Sequence, residues 1–289
     1  MYLELAASQV ERWMLNPYMY GLVLILLCLS VIRRVEPLNS SFWTATFQDY
    51  LYGVLYAVVY FPLIAICLEF ATDGLNRAFP ELTISSLDRL PSWTKLLLLV
   101  VVDDFLSYWS HRLRHVVRPL WHFHAVHHSQ ENLNPFTTKK FHPFENFFHK
   151  AVFLLIPMTM LGLSFEGFYL YLVLDAAWDY FIHSNIKINL GPLERLIVTP
   201  QYHRIHHSRL PEHVDRNFSD RLVLWDQVFG TAHFERDSFP PTGVPGYLPS
   251  ERSSKRFLTN HLYDLKYPFA MNLRDFRDWL SKKKRASEV

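Results

Sequence analysis

Residues 93–115 read WTKLLLLVVVDDFLSYWSHRLRH, an apolar run that passes without a break into two histidines set four apart. Wound as one helix, this stretch places Asp104, Tyr108, His111 and His115 on a single face, because residues three and four apart are neighbours on a helix surface. The reading is a membrane helix whose far end carries metal-binding side chains. An ionisable residue inside such a run is costly and marks a function, so Asp104 is expected as a metal ligand or as the acceptor for a ligand N–H.

Working outward, the rest of the apolar sequence also lies in blocks: 18–32, 50–70, then 151–164 followed by 168–178. A membrane span needs about 20 mostly apolar residues. The first two blocks and 93–109 reach or approach that length, and the last two read as a hairpin turning near 165–167. Tyr18, Tyr20, Trp43, Tyr50 and Trp93 sit near block ends, where aromatic belts form. The expected fold is all-α: an integral membrane helical bundle of about four to five membrane helices with a cytosol-facing, histidine-rich helical cap. Residues 1–110 are the membrane helices ending in the first histidine box, 111–235 the catalytic region including the hairpin at about 150–182, and 236–289 a loop and amphipathic helix, all one functional domain. No cleavable leader is expected.

Orientation follows from the basic residues. Arg33, Arg34, Arg112, Arg114, Arg118, Lys139, Lys140, Lys150 and the tail 282–285 fall on one side of that topology, with Arg12, Arg77, Arg89 and Lys95 on the other. An excess of Lys and Arg marks the cytoplasmic side, so the histidine boxes are expected to face the cytoplasm. A net charge of +2 does not suggest a nucleic-acid partner. Cys28 and Cys67 form no disulfide framework, and no glycine-rich phosphate loop, HExxH or GxSxG is present.

Fourteen of the fifteen histidines lie between 111 and 233. HRLRH sets His111 and His115 at i and i+4, HAVHH sets His124, His127 and His128 at i, i+3 and i+4, and HRIHH repeats that pattern with His203, His206 and His207. On a helix each box aims its imidazoles at one point. Imidazole suits first-row transition metals, and these eight exceed what one tetrahedral ion uses. Two metals are expected, with His183 as a further ligand at the end of the last apolar block and Asp179 one turn before it. Single histidines such as His213 and His233 are read as surface or hydrogen-bonded residues. Thr199 and Pro200 supply an N-cap and first-turn proline for the helix bearing the last box.

The words HRLRH, LWHFHAVHHS, FHPFE, FIHSN, GPLERLIVTPQYHRIHHS and LVLWDQVFGT, in that order over roughly 95–235, resemble the fatty acid hydroxylase or sterol desaturase superfamily of membrane di-iron oxygenases. That resemblance implies two iron ions, O₂ as co-substrate and a lipid substrate entering from the membrane. It carries the ligand role to His111, His115, His124, His127, His128, His183, His203, His206 and His207. Several relatives have histidine where Asp179 stands, so Asp179 or His142 is expected to complete one ligand set. Asp104, Tyr108 and Asp179 are the candidate catalytic side chains. DRNFS stands at 215–219 in place of the more usual D-x-N-Y-G.

No flavin, haem or iron–sulfur motif is visible, so electrons are expected from a reductase with a ferredoxin or cytochrome b5-type carrier. A pterin reductant, as in ether-lipid-cleaving relatives, is the alternative, and HPFE favours the sterol and fatty-acyl branches. A membrane metal-binding or transport protein is the alternative of another class. Zinc can take imidazole sites in a purified sample in place of iron.

Overall fold

The computed structural model describes residues 17–82, 89–149, 165–247 and 256–287, together with 87 and 160. Most of the hairpin arm expected at 151–164 lies outside these residues. Among the described residues the fold is all-helical, with isolated β-bridges such as Ile197 with Leu222 but no sheet.

Helix α1 spans Pro17–Ile32 and matches the first apolar block. The second begins well before the expected residue 50. Asn39 accepts a hydrogen bond from the Phe42 N–H and so caps α2, Ser40–Leu55. A π-helical turn, Tyr56–Tyr60, then carries the chain into α3, Phe61–Ala78. The 25-residue stretch Ser40–Ile64 is long and apolar enough to cross a membrane, and only 24% of its most apolar window is buried. It is the one helix among the described residues that passes this test.

Helix α4, Ser92–Val116, confirms that the opening stretch is continuous from its apolar start to the first histidine box. It stops where Val117 turns extended ahead of Pro119, and α5, Arg118–His128, follows at once with the second box. The break folds the two boxes face to face. Ala125 and Val126 point the other way and are fully buried against Tyr247, with Trp121 and Tyr267 alongside. Histidines on one side and small apolar groups on the other therefore fix the roll of α5.

A 3₁₀ turn at Pro135–Lys139, α6 at Pro143–His149 and α7 at Phe165–Ile182 lead to the remaining sites. Thr199 accepts from the Tyr202 N–H and Pro200 opens α8, Pro200–His206, as the sequence predicts. Ile182, Val198, Tyr202 and Val223 pack together and lock the end of α7 to α8. A short α9, Leu224–Val228, and the long α10, Phe257–Ser287, complete the described chain. Arg118 and His122 of α5 bond to Asp275 of α10.

Candidate metal centre

Nine histidines from α4, α5, α8 and the end of α7 gather into two groups. The first is His111, His115, His124, His128 and His206; the second is His127, His183, His203 and His207. All nine residues predicted from the boxes and from His183 are present. The grouping differs from the expectation that each box serves one point. In HAVHH the i, i+4 pair His124 and His128 joins the first group while His127 joins the second. In HRIHH the pair His203 and His207 joins the second while His206 joins the first.

The two boxes share one internal geometry. His124–His128 and His203–His207 both have ring centroids 4.7 Å apart at 66°. The adjacent rings His127–His128 and His206–His207 stand at 90° and 89°. Successive helical residues point about 100° apart, so a box of this spacing necessarily addresses two places. The first group then draws two further ligands from α4, and the second draws His183.

Within the first group the Nε2 atoms of His111 and His124 are 3.1 Å apart, those of His115 and His128 3.2 Å, and those of His206 and His128 3.1 Å. In the second, His127–His183 is 3.2 Å, His183–His203 3.0 Å and His203–His207 3.1 Å. An ion with imidazole ligands at about 2.1 Å sets neighbouring nitrogens about 3.0 Å apart at right angles and about 3.4 Å apart at tetrahedral angles. The observed spacings fall in that range.

The opposite ring nitrogens show why these contacts are not ordinary hydrogen bonds. The Nδ1–H of His111 donates to the Phe218 carbonyl at 2.8 Å, that of His206 to the Arg216 carbonyl at 2.9 Å and that of His183 to the Asp179 carbonyl at 2.8 Å. His124 Nδ1–H donates to the Glu145 carboxylate at 2.7 Å. A carbonyl can only accept, so these partners fix the tautomer and leave a lone pair on Nε2. His111 and His124 thus face each other lone pair to lone pair at 3.1 Å, which is repulsive unless a cation lies between them. Burial pushes the pKa of His124, His127, His128, His203, His206 and His207 well below the usual imidazole value and that of His183 down to about 4, which keeps the rings neutral.

The remaining predicted site residues are elsewhere, and these are corrections. Asp104 is fully buried but accepts from the Arg221 and Leu222 N–H groups and from Trp225 Nε1, not from a ligand imidazole. Tyr108 shares a hydrogen bond with Thr231 and accepts another from Arg112. Both side chains therefore grip the stretch LVLWDQVFGT. Asp179 offers His183 its backbone carbonyl and belongs to neither group. His142 also stands apart: its Nε2 bonds to the Leu265 carbonyl, its Nδ1 accepts from the Phe144 N–H, and its ring packs on Phe123.

The structure also reveals supports that the sequence reading did not assign. Glu145 accepts from His124 and from Arg114, at 2.6 Å. In DRNFS, Asp215 and Asn217 have left-handed φ of 58° and 59°, a conformation Asp and Asn tolerate better than most. They alternate with Arg216 and Phe218, whose carbonyls are turned onto His206 and His111. Asp226 is fully buried and accepts from the Phe218 and Ser219 N–H groups, Tyr202 and Thr231. The sequence signal for both is a carboxylate inside a family word, Glu145 in FHPFE and Asp226 in WD…FGT.

Residues 96–231 match the family model described as fatty acid hydroxylase. This part of the chain belongs to the fatty acid hydroxylase family. Its members similar to this chain include an ornithine lipid hydroxylase of Rhizobium tropici, 34% identical over 160 residues, which are 55% of this chain and 48% of that protein. An alkylglycerol monooxygenase of Danio rerio is 35% identical over 150 residues, 50% of this chain and 32% of the other. A putative Delta(7)-sterol-C5(6)-desaturase of Arabidopsis thaliana is 26% identical over 204 residues, 65% of this chain and 67% of the other. The chain thus spans about half or less of the first two relatives. Their identities exceed that of the desaturase, so the preference for sterol and fatty-acyl branches read from HPFE is not carried by these relatives. No solved structure matches the chain.

Proposed function

We propose that this chain is an integral membrane, O₂-dependent lipid hydroxylase whose two histidine groups hold two iron ions. The observation that carries the reading is the pair of lone pairs facing each other between His111 and His124, inside a family whose similar members are named for lipid oxidation. Two irons bound there would supply the redox chemistry with O₂ that opening an unactivated C–H bond demands and that redox-inert zinc cannot provide.

The chain's own residues do the rest. Glu145 and the carbonyls of Phe218, Arg216 and Asp179 hold the rings of His124, His111, His206 and His183 in the tautomer that binds metal. Eight of the nine rings are buried, which excludes bulk water from the centre. His183 at the end of α7 and His111 on α4 hang the centre directly from apolar helices, so an apolar substrate reaches it without crossing water. Exposed apolar side chains on those helices and on α1, such as Tyr18 at 83%, Ile32 at 73% and Trp93 at 65%, fit lipid contact better than a soluble surface. The boxes would face the cytoplasm, and a reductase with a ferredoxin or cytochrome b5-type carrier would deliver electrons there.

A second reading, cleavage of an ether lipid with a pterin reductant, is favoured by the 35% identity to an alkylglycerol monooxygenase. Lipid mass spectrometry of cells expressing the wild type or His206→Ala under ¹⁸O₂ separates the two. One ¹⁸O retained as a hydroxyl on an intact lipid, in the wild type alone, is the expected result. A labelled fatty aldehyde points to ether cleavage, an unlabelled lipid short of two hydrogens to desaturation, and identical lipids from the two strains refute the oxygenase assignment in favour of a metal-binding or transport role.

A further inference from the structure

His213, His233 and Glu235 form a third group outside the two box groups. His213 closes the 3₁₀ turn Pro211–His213 after the last box, and the other two follow the FGT end of α9. His233 Nε2 lies 3.1 Å from Glu235 Oε1 and His213 Nε2 lies 3.4 Å from the same oxygen. One ligand atom from each residue falls within 4.8 Å of the others.

The decisive residue is His213. It is 1% exposed, and neither of its ring nitrogens has a hydrogen-bond partner. A neutral imidazole has one N–H and one lone pair, and burying both without partners is unfavourable. The Glu235 oxygen lies to one side of the ring at a distance too long for a good bond, so the local protein groups do not satisfy it. The carboxylate itself is held ionised: Ser238 first, then the two imidazoles, lower its pKa to about 2. Two imidazoles and one ionised carboxylate are a three-ligand set that leaves a further position to water. With its side chain 38% exposed, Glu235 opens that position to solvent.

We propose that His213, His233 and Glu235 bind one further zinc ion, which clips the stretch after the third box to the stretch after α9. The loop so closed contains Arg216 and Phe218, whose carbonyls hold His206 and His111. Asn217 already bridges the same two stretches through the His233 backbone N–H and carbonyl. The ion would reinforce that bridge from the side-chain direction, and it takes no part in the oxidation.

The test counts ions on the detergent-purified full chain after loading with Zn²⁺ and dialysis. The wild type is expected to retain one more ion per chain than Glu235→Ala, whose partly exposed side chain can be removed without endangering the fold. His213→Gln should lose the same single ion. His128→Ala should lose a box ion and keep this one, which separates failure of the clip from failure of the box assignment. Zn²⁺ should also protect the loop 213–233 from proteolysis in the wild type and not in Glu235→Ala. Equal ion counts in the wild type and Glu235→Ala, or protection unchanged by the substitution, would overturn the proposal.

Discussion

Glu145 offers the sharpest test of how the metal centre is held. Its Oε1 accepts from His124 at 2.7 Å and from Arg114 at 2.6 Å, with its side chain 4% exposed. Glu145→Gln keeps the shape and one acceptor but removes the charge that both donors face. A hydrogen bond to a charged group contributes about 1.5–3 kcal/mol. At about 1.4 kcal/mol per tenfold, that corresponds to roughly 10–100-fold in affinity, the range also found when outer partners of metal ligands are removed. Chelator competition in a His207→Ala background isolates the five-histidine group, and a loss of about that size is expected there. In a His206→Ala background the four-histidine group should be unaffected, since none of its rings touches Glu145. Equal affinity in both backgrounds with and without the substitution would refute the reasoning. Glu145→Ala should instead lower stability, by about 3–5 kcal/mol, because it strands the Arg114 cation beside a buried site.

The interleaved boxes predict that His206→Ala and His207→Ala each empty a different group, so metal counts should fall by one ion in either variant and by two in the double variant. Asp104→Asn should lower the unfolding midpoint, with a loss of about 1–3 kcal/mol from turning an amide NH₂ toward buried donors, while the ion count stays unchanged; loss of an ion would restore a ligand role to Asp104. His142→Ala should likewise keep every ion and lose the packing against Phe123 and Phe269 together with the bonds to the Leu265 carbonyl and the Phe144 N–H. The metal-free chain should destabilise as pH falls below about 6.5, because His124, His127, His128, His203, His206 and His207 have lowered pKa values in the fold and bind protons more readily once unfolded. A denaturation midpoint that stays flat from pH 7.5 to pH 5.5, on the order of one unit either side of the imidazole value, would contradict this.

Sequence spacing was enough to single out eight of the nine histidines that gather here, because imidazoles at i, i+3 and i+4 on a helix have few directions in which to point. It was not enough to assign them to centres. That assignment depends on how α5 and α8 are each seated, α5 by Ala125 and Val126 against Tyr247 and α8 by Val198 and Tyr202 against Ile182 and Val223, and the apolar character of these residues says nothing about direction. Asp104 and Tyr108 share the histidine face of α4, yet they lie two turns and one turn, respectively, nearer its apolar start and meet the 221–231 stretch first. Periodicity gives the face of a helix and not the depth at which a partner arrives. The carbonyls of Arg216 and Phe218 were invisible for a simpler reason: any residue type can offer one, and only the left-handed turns at Asp215 and Asn217 aim them. The apolar block begins at residue 50, ten residues inside α2, because Ser40, Ser41, Thr44, Thr46, Gln48 and Asp49 interrupt the apolar character of its first turns.

Because HAVHH and HRIHH each feed both groups, the separation between the centres is ruled by the pitch of two helices and not by the set of a loop. Each box works as a gauge with two fixed jaws, and the boxes are mounted in opposite senses. A helix that shifts to loosen one jaw must shift the other. The two positions should therefore fill and empty together, giving a sigmoidal loading curve in the wild type that turns simple once a single histidine of either box is removed.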